Sequence, residues 1–126
     1  MNPLHIGNLT AALPIVQGGM GIGISLSGLA AAVANEGGIG VIAAAGIGMY
    51  DMGNGIGYVE ANDNALRREI RKARELTRGI IGVNIMVALS NFTSLVRTAI
   101  EEGVDIIFSG AGLPLSLPAL LPPDGC

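Results

Sequence analysis

Short apolar segments alternate with longer amphipathic segments along this chain, and that alternation limits the fold more than any other feature. Runs rich in Ile and Val predict buried strands at residues 15–17, 39–43, 80–87 and 105–108. The segments between them predict helices over residues 26–35, 63–78 and 91–103. The order β-α-β-α-β-α-β predicts an α/β fold, with a parallel sheet and helical crossovers.

Local signals support the three predicted helices. Ser25 is an expected N-cap of the first helix, and Gly37 stands where a C-cap glycine belongs. The second helix carries Arg71 and Glu75 at i,i+4 spacing and is expected to end at Gly79. Its other arginines predict a solvated helix face. Asn91 is the expected cap of the third helix.

Two architectures fit this order of elements: an open doubly wound sheet and a (β/α)8 barrel of the TIM type. The tail from residue 117 onwards predicts a short fourth helix broken by prolines, which gives four β/α units in a single domain over residues 1–126. A TIM barrel closes with eight strands. We therefore expect either an open fold or an incomplete barrel that represents the N-terminal half of a longer domain.

Composition excludes several classes of protein. Half of the 126 residues are hydrophobic and the net charge is only −3, which argues against a disordered chain. Seven Lys and Arg residues give no basic footprint for nucleic acid. Cys126 is the one cysteine, so a disulfide framework is excluded and a reducing, cytoplasmic location is expected.

A membrane-spanning segment is the alternative interpretation of the N-terminal region, because no Asp, Glu, Lys or Arg precedes Glu36. Gln17, Ser25 and frequent glycines interrupt the apolar run, and no Lys/Arg cluster flanks it. The first ten residues also lack the basic region of a signal peptide. We expect a cytoplasmic protein without a membrane partner.

Polar and glycine residues follow every predicted strand at its carboxyl end. They are Gln17-Gly18-Gly19-Met20, Ala45-Gly46, Asn84 and Ser109-Gly110-Ala111-Gly112. Ligands of parallel α/β folds bind at these carboxyl ends, and glycines allow a flat ring to approach the backbone. The pattern predicts a binding site for a flat cofactor, with the loop at residues 46–62 as a candidate lid.

Asn84 interrupts an otherwise apolar strand, and a buried amide without partners costs about 1–3 kcal/mol. It either binds a ligand or is satisfied by neighbouring backbone, and the same two interpretations apply to Gln17. The residues around Gly38 match a dinucleotide fingerprint in sequence only, because they lie in a strand that follows a helix. His5 is expected in a turn, and no metal-ligand cluster or Ser/His/Asp set is present.

Three segments together resemble the nitronate monooxygenase family, formerly called 2-nitropropane dioxygenases. They are "PIVQGGMGIGIS…LAAAVANEGGIGVIAAAG", "IIGVNIMV" and "IEEGVDIIFSGAG", and the resemblance extends from about Pro3 to Pro118. It implies an FMN-dependent (β/α)8 barrel. It also implies that the backbone of Gly18, Gly19 and Met20 contacts the flavin ring, with Gln17 helping to orient it. Asn84 would hydrogen-bond the cofactor, and Ser109 and Gly110 would line the pocket.

The same resemblance places the family's catalytic histidine and its FMN phosphate site beyond the end of this chain. No catalytic residue is therefore assigned, and we expect little activity from these 126 residues alone. For the intact enzyme the resemblance implies oxidation of alkyl nitronates with FMN and O2. The alternatives are an FMN-dependent reductase of enoyl thioesters on acyl carrier protein, and an inactive half-barrel that self-associates into a homo-oligomer through its open sheet edges.

Overall fold

The computed structural model describes residues 1–123, which form five strands, four α-helices and one 3-10 turn at Met49–Asp51. The strands are β1 (Leu4–Ile6), β2 (Leu9–Ala11), β3 (Ile39–Ala43), β4 (Ile80–Met86) and β5 (Ile106–Gly110). The helices are α1 (Ser27–Asn35), α2 (Tyr58–Leu76), α3 (Phe92–Glu101) and α4 (Leu117–Leu120).

The central sheet is parallel and has the strand order β3-β4-β5, joined by the crossover helices α2 and α3. This confirms the predicted α/β class and the parallel sheet. The predicted first strand at residues 15–17 is reduced to one parallel bridge, in which Val16 pairs with Ile39 beside β3. The chain leaves the sheet directly after this bridge.

The antiparallel hairpin of β1 and β2 was not predicted from the sequence. Each strand has three residues, so its alternation is too short to stand out. Gly7 and Asn8 form the two-residue connection, and Gly7 has the positive φ of 56° that such turns require. His5 lies in β1, where its Nδ1 is 3.0 Å from Thr10 Oγ1, so it is a strand residue rather than the turn residue we expected.

The main core lies between the sheet and the helices. Side chains of β4 on this face, Ile81, Val83 and Ile85, are fully buried against the helices. Gly40 of β3 also faces α1, since a Cβ there would be 1.9 Å from the Ala30 carbonyl oxygen. This close packing accounts for Gly40 and supports rejection of the dinucleotide fingerprint.

The opposite face of the sheet carries a smaller apolar set that is largely only part-buried. It includes Ile80, Ile106 and Phe108, which pack around the buried Ile39 and Val41. The two faces alternate residue by residue along each strand, as the strand period requires. Asn84 pairs with Ala43 and Phe108 in register and therefore belongs to this second, more open face.

The predicted loop over residues 46–62 was wrong over its last five residues. Helix α2 begins at Tyr58, five residues before the predicted start, and it ends at Leu76 rather than at residue 78. The side chain of Asn62 is buried in this early turn. Its Oδ1 accepts a hydrogen bond of 3.0 Å from the Gly48 N–H, which fixes the loop against the helix.

Two predicted side-chain roles at the helices were wrong. Leu26, not Ser25, occupies the N-cap position of α1, and no side chain caps this helix. Arg71 pairs with Glu102 at 2.7 Å instead of with Glu75. The hydrogen bond to Glu102, followed by its negative charge, raises the pKa of Arg71 above its ordinary value.

Other predicted boundaries lie close to the observed ones. Strand β3 has the predicted bounds, and β4 ends one residue early. Strand β5 begins one residue later and ends two residues later than predicted. Asn91 holds the N-cap position of α3, although its side chain makes no capping hydrogen bond. The tail forms the one-turn helix α4, and Cys126 lies outside the described residues.

Candidate functional site

The carboxyl ends of the Val16 bridge, β3, β4 and β5 meet at one edge of the sheet, where two glycine-rich loops begin. We call residues 18–26 the first glycine loop and residues 44–57 the second glycine loop. Both lie at the end of the sheet where α/β proteins bind ligands. The candidate residues predicted from the sequence lie at or next to these strand ends.

The side chain of Gln17 takes the place of a neighbouring strand beside Val41 of β3. Its Nε2 donates to the Val41 carbonyl oxygen at 3.0 Å, and its Oε1 accepts from the Val41 N–H at 3.1 Å. The Gln17 amide thereby satisfies the Val41 N–H and carbonyl oxygen. The main chain after Gln17 does not have to pair with β3 at this point and forms the first glycine loop. Gln17 had been expected either to bind a ligand or to be satisfied by neighbouring backbone, and its geometry is the second of these.

Ser25 fastens the two ends of the turn that Gly18 begins. Its Oγ accepts a hydrogen bond from the Met20 N–H at 2.9 Å and donates to the Gly18 carbonyl oxygen at 3.3 Å. The Ser25 N–H also donates to the Met20 carbonyl oxygen at 2.9 Å. Because Ser25 is buried, these bonds fix the loop from its inner side.

Gly18 and Gly19 lie next to each other in the first glycine loop, but the structural need for glycine differs between the two positions. A Cβ on Gly19 would lie 2.7 Å from Asn84 Cβ, so Gly19 permits its loop to rest on the Asn84 side chain. A Cβ on Gly18 would meet nothing within 4 Å, and Gly18 does not have a positive φ. Within the described residues, neither packing nor backbone conformation requires glycine at position 18. Open space beside a main chain fits a planar ligand.

Asn84 stands at the carboxyl end of β4, half-buried beneath Gly19. Its carbonyl oxygen accepts from the Ala44 N–H at 3.0 Å, whereas its side-chain amide has no hydrogen-bond partner among residues 1–123. An amide in this position offers both a donor and an acceptor to a ligand. The interpretation in which neighbouring backbone satisfies Asn84 finds no support in this geometry.

Ser109 and Gly110 differ in how they face the site. Ser109 pairs in register with Ile85, so its side chain belongs to the helix-facing side of the sheet, and its Oγ is buried without a partner in the described part of the chain. Gly110 lies on the same side as Asn84, and a Cβ there would meet open space. The structure therefore brings Gly19 into contact with Asn84, next to the open Gly18. Gly110 ends the neighbouring strand β5, and Met20 is exposed in the first glycine loop.

The residues present fit a flavin ring better than they fit a hydrolytic or metal site. Residues 1–123 contain no group of three or more His, Cys, Asp or Glu side chains placed to hold a metal ion. Gly18 and Gly110 leave open space beside the main chain, Asn84 offers one amide, and Gln17 acts from behind the loop. The Met20 main chain is hydrogen-bonded to Ser25, so this residue offers the site its exposed side chain rather than the backbone contact that the family resemblance implied. Ser25 was predicted from the sequence as a helix cap, whereas it holds the first glycine loop through its hydroxyl. Only the fold of the turn reveals this role.

Taken together, these features define an α/β protein with a parallel sheet that resembles part of a TIM barrel, with the candidate site at the carboxyl ends of its strands. The family model described as nitronate monooxygenase matches residues 2–105. The chain belongs to the nitronate monooxygenase family, whose members are flavin-dependent oxidoreductases. This confirms the resemblance found in the sequence.

Solved structures agree with this assignment. The chain is 30% identical to FabK from Thermotoga maritima, with a TM-score of 0.59 over 79% of this chain and 28% of that chain. It is 32% identical to a mutant of the same FabK, with a TM-score of 0.57 over 74% of this chain and 27% of that chain. The chain thus spans about a quarter of the length of these structures.

Two further comparisons concern sequence and hydropathy. A search of the curated proteins found no match. Among residues 1–123, no helix has the length and apolar character needed to cross a membrane.

Proposed function

We propose that this chain forms the ring-binding part of an FMN-dependent oxidoreductase that oxidises alkyl nitronates with O2. The observation that carries the proposal is the open space beside Gly18, next to the contact between Gly19 and Asn84. Within residues 1–123, the side-chain amide of Asn84 has no hydrogen-bond partner. When bound, FMN would supply the redox chemistry of the reaction, which no side chain of this site can provide. The family assignment supports the choice of flavin.

The chain's own residues have binding and positioning roles in this proposal. Gly18 leaves room for the ring, Asn84 hydrogen-bonds its polar edge, and the exposed Met20 covers part of its apolar surface. Gln17 and Ser25 hold the first glycine loop in the shape that this contact needs. Ser109 is proposed to contribute through its main chain, since its side chain faces the helices.

The decisive experiment is an FMN titration of the purified chain, followed by visible absorbance and flavin fluorescence. Flavin that remains with the protein through gel filtration supports the proposed site. Anaerobic addition of an alkyl nitronate to the flavin-loaded protein then tests the activity, because a nitronate oxidase bleaches the flavin band. Bound flavin that keeps its colour with every nitronate would refute the proposed substrate while retaining the cofactor.

A reductase of enoyl thioesters on acyl carrier protein is the second candidate, and the similarity to FabK favours it. This activity requires a nicotinamide as the hydride donor. Consumption of NADH or NADPH that depends on an enoyl thioester distinguishes it from nitronate oxidation. The proposed setting for either enzyme is the cytoplasm, with a small-molecule or carrier-bound substrate and without nucleic acid or membrane partners.

The third candidate is a chain that binds no flavin and self-associates through its open sheet. The part-buried face around Ile106 and Phe108 and the outer edge of β5 are the surfaces that would pair. Light scattering across a range of protein concentrations tests this candidate on the same samples. A colourless protein whose mass rises with concentration would support it against both enzymes.

A further inference from the structure

The parallel sheet has two open edges, one at each end of its strand order. The Val16 bridge lies beside β3, so the order is residues 15–17, β3, β4 and β5. Among residues 1–123, no strand pairs with the outer side of residues 15–17, which we call the first edge, or with the outer side of β5, which we call the last edge. All four segments run in the same direction, so a last edge and a first edge can become neighbours in one parallel sheet.

The first edge directs main-chain hydrogen-bonding groups away from the sheet. The Ile15 carbonyl oxygen accepts from the Ile39 N–H at 2.9 Å, and the Gln17 N–H donates to the Ile39 carbonyl oxygen at 3.0 Å. Val16 lies between these two residues, so its own N–H and carbonyl oxygen point outward. They have no partner among residues 1–123.

The last edge directs main-chain groups outward in the same way. The Gly110 carbonyl oxygen accepts from the Val87 N–H at 2.8 Å, on the side of β4, so the main chain of Ser109 faces the outer side. Edge strands that do not pair are commonly protected by charged side chains or by proline. Neither residues 15–17 nor β5 contains a charged residue or a proline, so both edges are open to pairing.

Apolar side chains reach both edges on the open face of the sheet. Val16 pairs in register with Ile39, so its side chain lies on the same face as Ile106 and Phe108. Val16 is 42% exposed, and Ile106 and Phe108 are only part-buried. Joining a first edge to a last edge would bury this face, as branched apolar side chains fill the interior of a parallel α/β barrel.

An apolar groove lies beside the first edge on the helix side of the sheet. It has a volume of about 340 Å³ and is lined mainly by Leu13, Ile15, Ala32 and Val33. In a parallel α/β barrel, the helix that follows each strand lies in the outer ring, between that strand and the next. Where a last edge meets a first edge, this helix would be α4 of the other copy. Residues 111–123 around α4 contain five leucines and no charged residue, which suits the groove.

We propose that two copies of this chain pair first edge to last edge at both ends of the sheet and close an eight-stranded parallel barrel. Each copy supplies four strand segments, and the parallel α/β barrel closes with eight. A twofold arrangement uses each edge of each copy once, so no edge stays open and the assembly ends at two chains. The end of the partner copy's β5 would then lie beside Gly18. The ring site would be shared between the copies, a step that rests on the proposed function.

Sedimentation of the full 126-residue chain in reducing buffer, over a wide range of concentrations, tests the closed dimer. The mass should rise from one chain to a plateau at twice the chain mass of 12.7 kDa. A heterologous contact that does not close would instead build an open filament. A mass that grows without a plateau, or one chain at every concentration, would overturn the proposal.

Variants at the two edges test which surfaces pair. Ile15→Asp should weaken the dimer about a hundredfold, roughly tenfold for each of its two equal contacts. Leu76→Asp is the control, because Leu76 is almost equally exposed, at 51% against 48% for Ile15, but ends α2 between the two edges. It should change the dissociation constant less than twofold. Equal weakening in both variants would contradict the proposal.

Ser109→Pro tests the last edge. It removes an N–H that faces away from β4, so pairing within the chain remains while pairing with a second copy is lost. We expect a similar hundredfold loss, with circular dichroism as the check of folding. A folded Ser109→Pro that dimerises normally while Ile15→Asp does not would show that the first edge pairs with itself, and would overturn the proposal. Ile15 is half-exposed, so Ile15→Asp decides the test if Ser109→Pro unfolds.

Titration of the same samples with FMN separates this inference from the proposed function. FMN affinity should rise with the fraction of dimer and fall in Ile15→Asp. Closed dimers that bind no FMN would support the barrel and refute the proposed cofactor. Single chains that bind FMN as tightly as dimers would overturn the shared site and leave the proposed function in place.

Discussion

Replacement of Ser25 by alanine should loosen the first glycine loop and weaken FMN binding while leaving the fold in place. The change removes the hydrogen bonds to the Met20 N–H (2.9 Å) and the Gly18 carbonyl oxygen (3.3 Å). A typical intramolecular hydrogen bond contributes about 0.5–1.5 kcal/mol, so the two together contribute about 1–3 kcal/mol. If about 1.4 kcal/mol of binding free energy is lost because the loop is less preorganised, the dissociation constant rises tenfold.

Ser27→Ala is the matched control for this experiment. Ser25 and Ser27 are both 1% exposed and lie two residues apart, but Ser27 contributes its backbone N–H, which donates to Glu69 Oε2 at 3.0 Å. Alanine at position 27 retains that bond. We expect Ser25→Ala to weaken FMN binding about tenfold and Ser27→Ala to change it less than twofold, by flavin fluorescence titration.

Thermal unfolding distinguishes a loop effect from general damage to the core. Because the Gly18 and Met20 main chain lies at an exposed loop, water can satisfy it once the Ser25 hydroxyl is gone. The free energy of unfolding should therefore fall by about 1 kcal/mol, toward the lower end of the range for two hydrogen bonds. Wild-type FMN affinity in Ser25→Ala, or equal losses in both serine variants, would refute the reasoning.

Three further predictions, one of them with a control substitution, test the site and the packing behind it. Gly18→Ala should abolish most FMN binding with little change in unfolding temperature. Gly28→Ala is the control, because Gly28 also faces open space but lies on α1, and it should keep FMN binding and stabilise the helix by up to about 1 kcal/mol. Loss of FMN binding in both variants would contradict the assignment of Gly18 to the site. Asn84→Ala should weaken flavin binding about tenfold at an unchanged melting temperature. If the variant instead retained flavin and melted at a much lower temperature, the role of Asn84 would be structural. Gly40→Ala should destabilise the fold by at least about 3 kcal/mol, measured by urea unfolding, because its Cβ would overlap the Ala30 carbonyl; a near-native stability would refute the packing argument.

The alternation of apolar and amphipathic runs was sufficient to predict β3, β4, β5 and the helices between them. These elements bury a continuous core, so their patterns are long and regular. The β1–β2 hairpin was missed because three-residue strands carry almost no periodic signal. The start of α2 was missed because Gly57 and Asn62 suggest a loop, while tertiary contacts between Asn62 and Gly48 stabilise the helix there.

The sequence predicted where the candidate residues lie in the fold better than it predicted which hydrogen bonds they form. A parallel sheet brings strand ends together, so the positions of Gly18, Asn84 and Gly110 follow from topology alone. The roles of Gln17 and Ser25 depend on which main-chain groups the turn leaves unpaired, and that information appears only in three dimensions. The face of Ser109 follows from the register with Ile85, which a single sequence does not reveal.

The glycines around the sheet can be separated by physical cause, and this separation is the strongest argument for a ligand. Gly40 is fixed by packing on α1, and Gly19 by contact with Asn84. Within residues 1–123, four glycines have neither a close neighbour nor a positive φ, and two of them, Gly18 and Gly110, follow or end a parallel strand rather than lying at a helix as Gly28 and Gly57 do. Glycine weakens strand structure and costs conformational entropy. Gly18 and Gly110 both stand at the carboxyl edge of the sheet, where ligands bind in parallel α/β folds. The space that a side chain would occupy at these two positions is therefore the space that we assign to the cofactor.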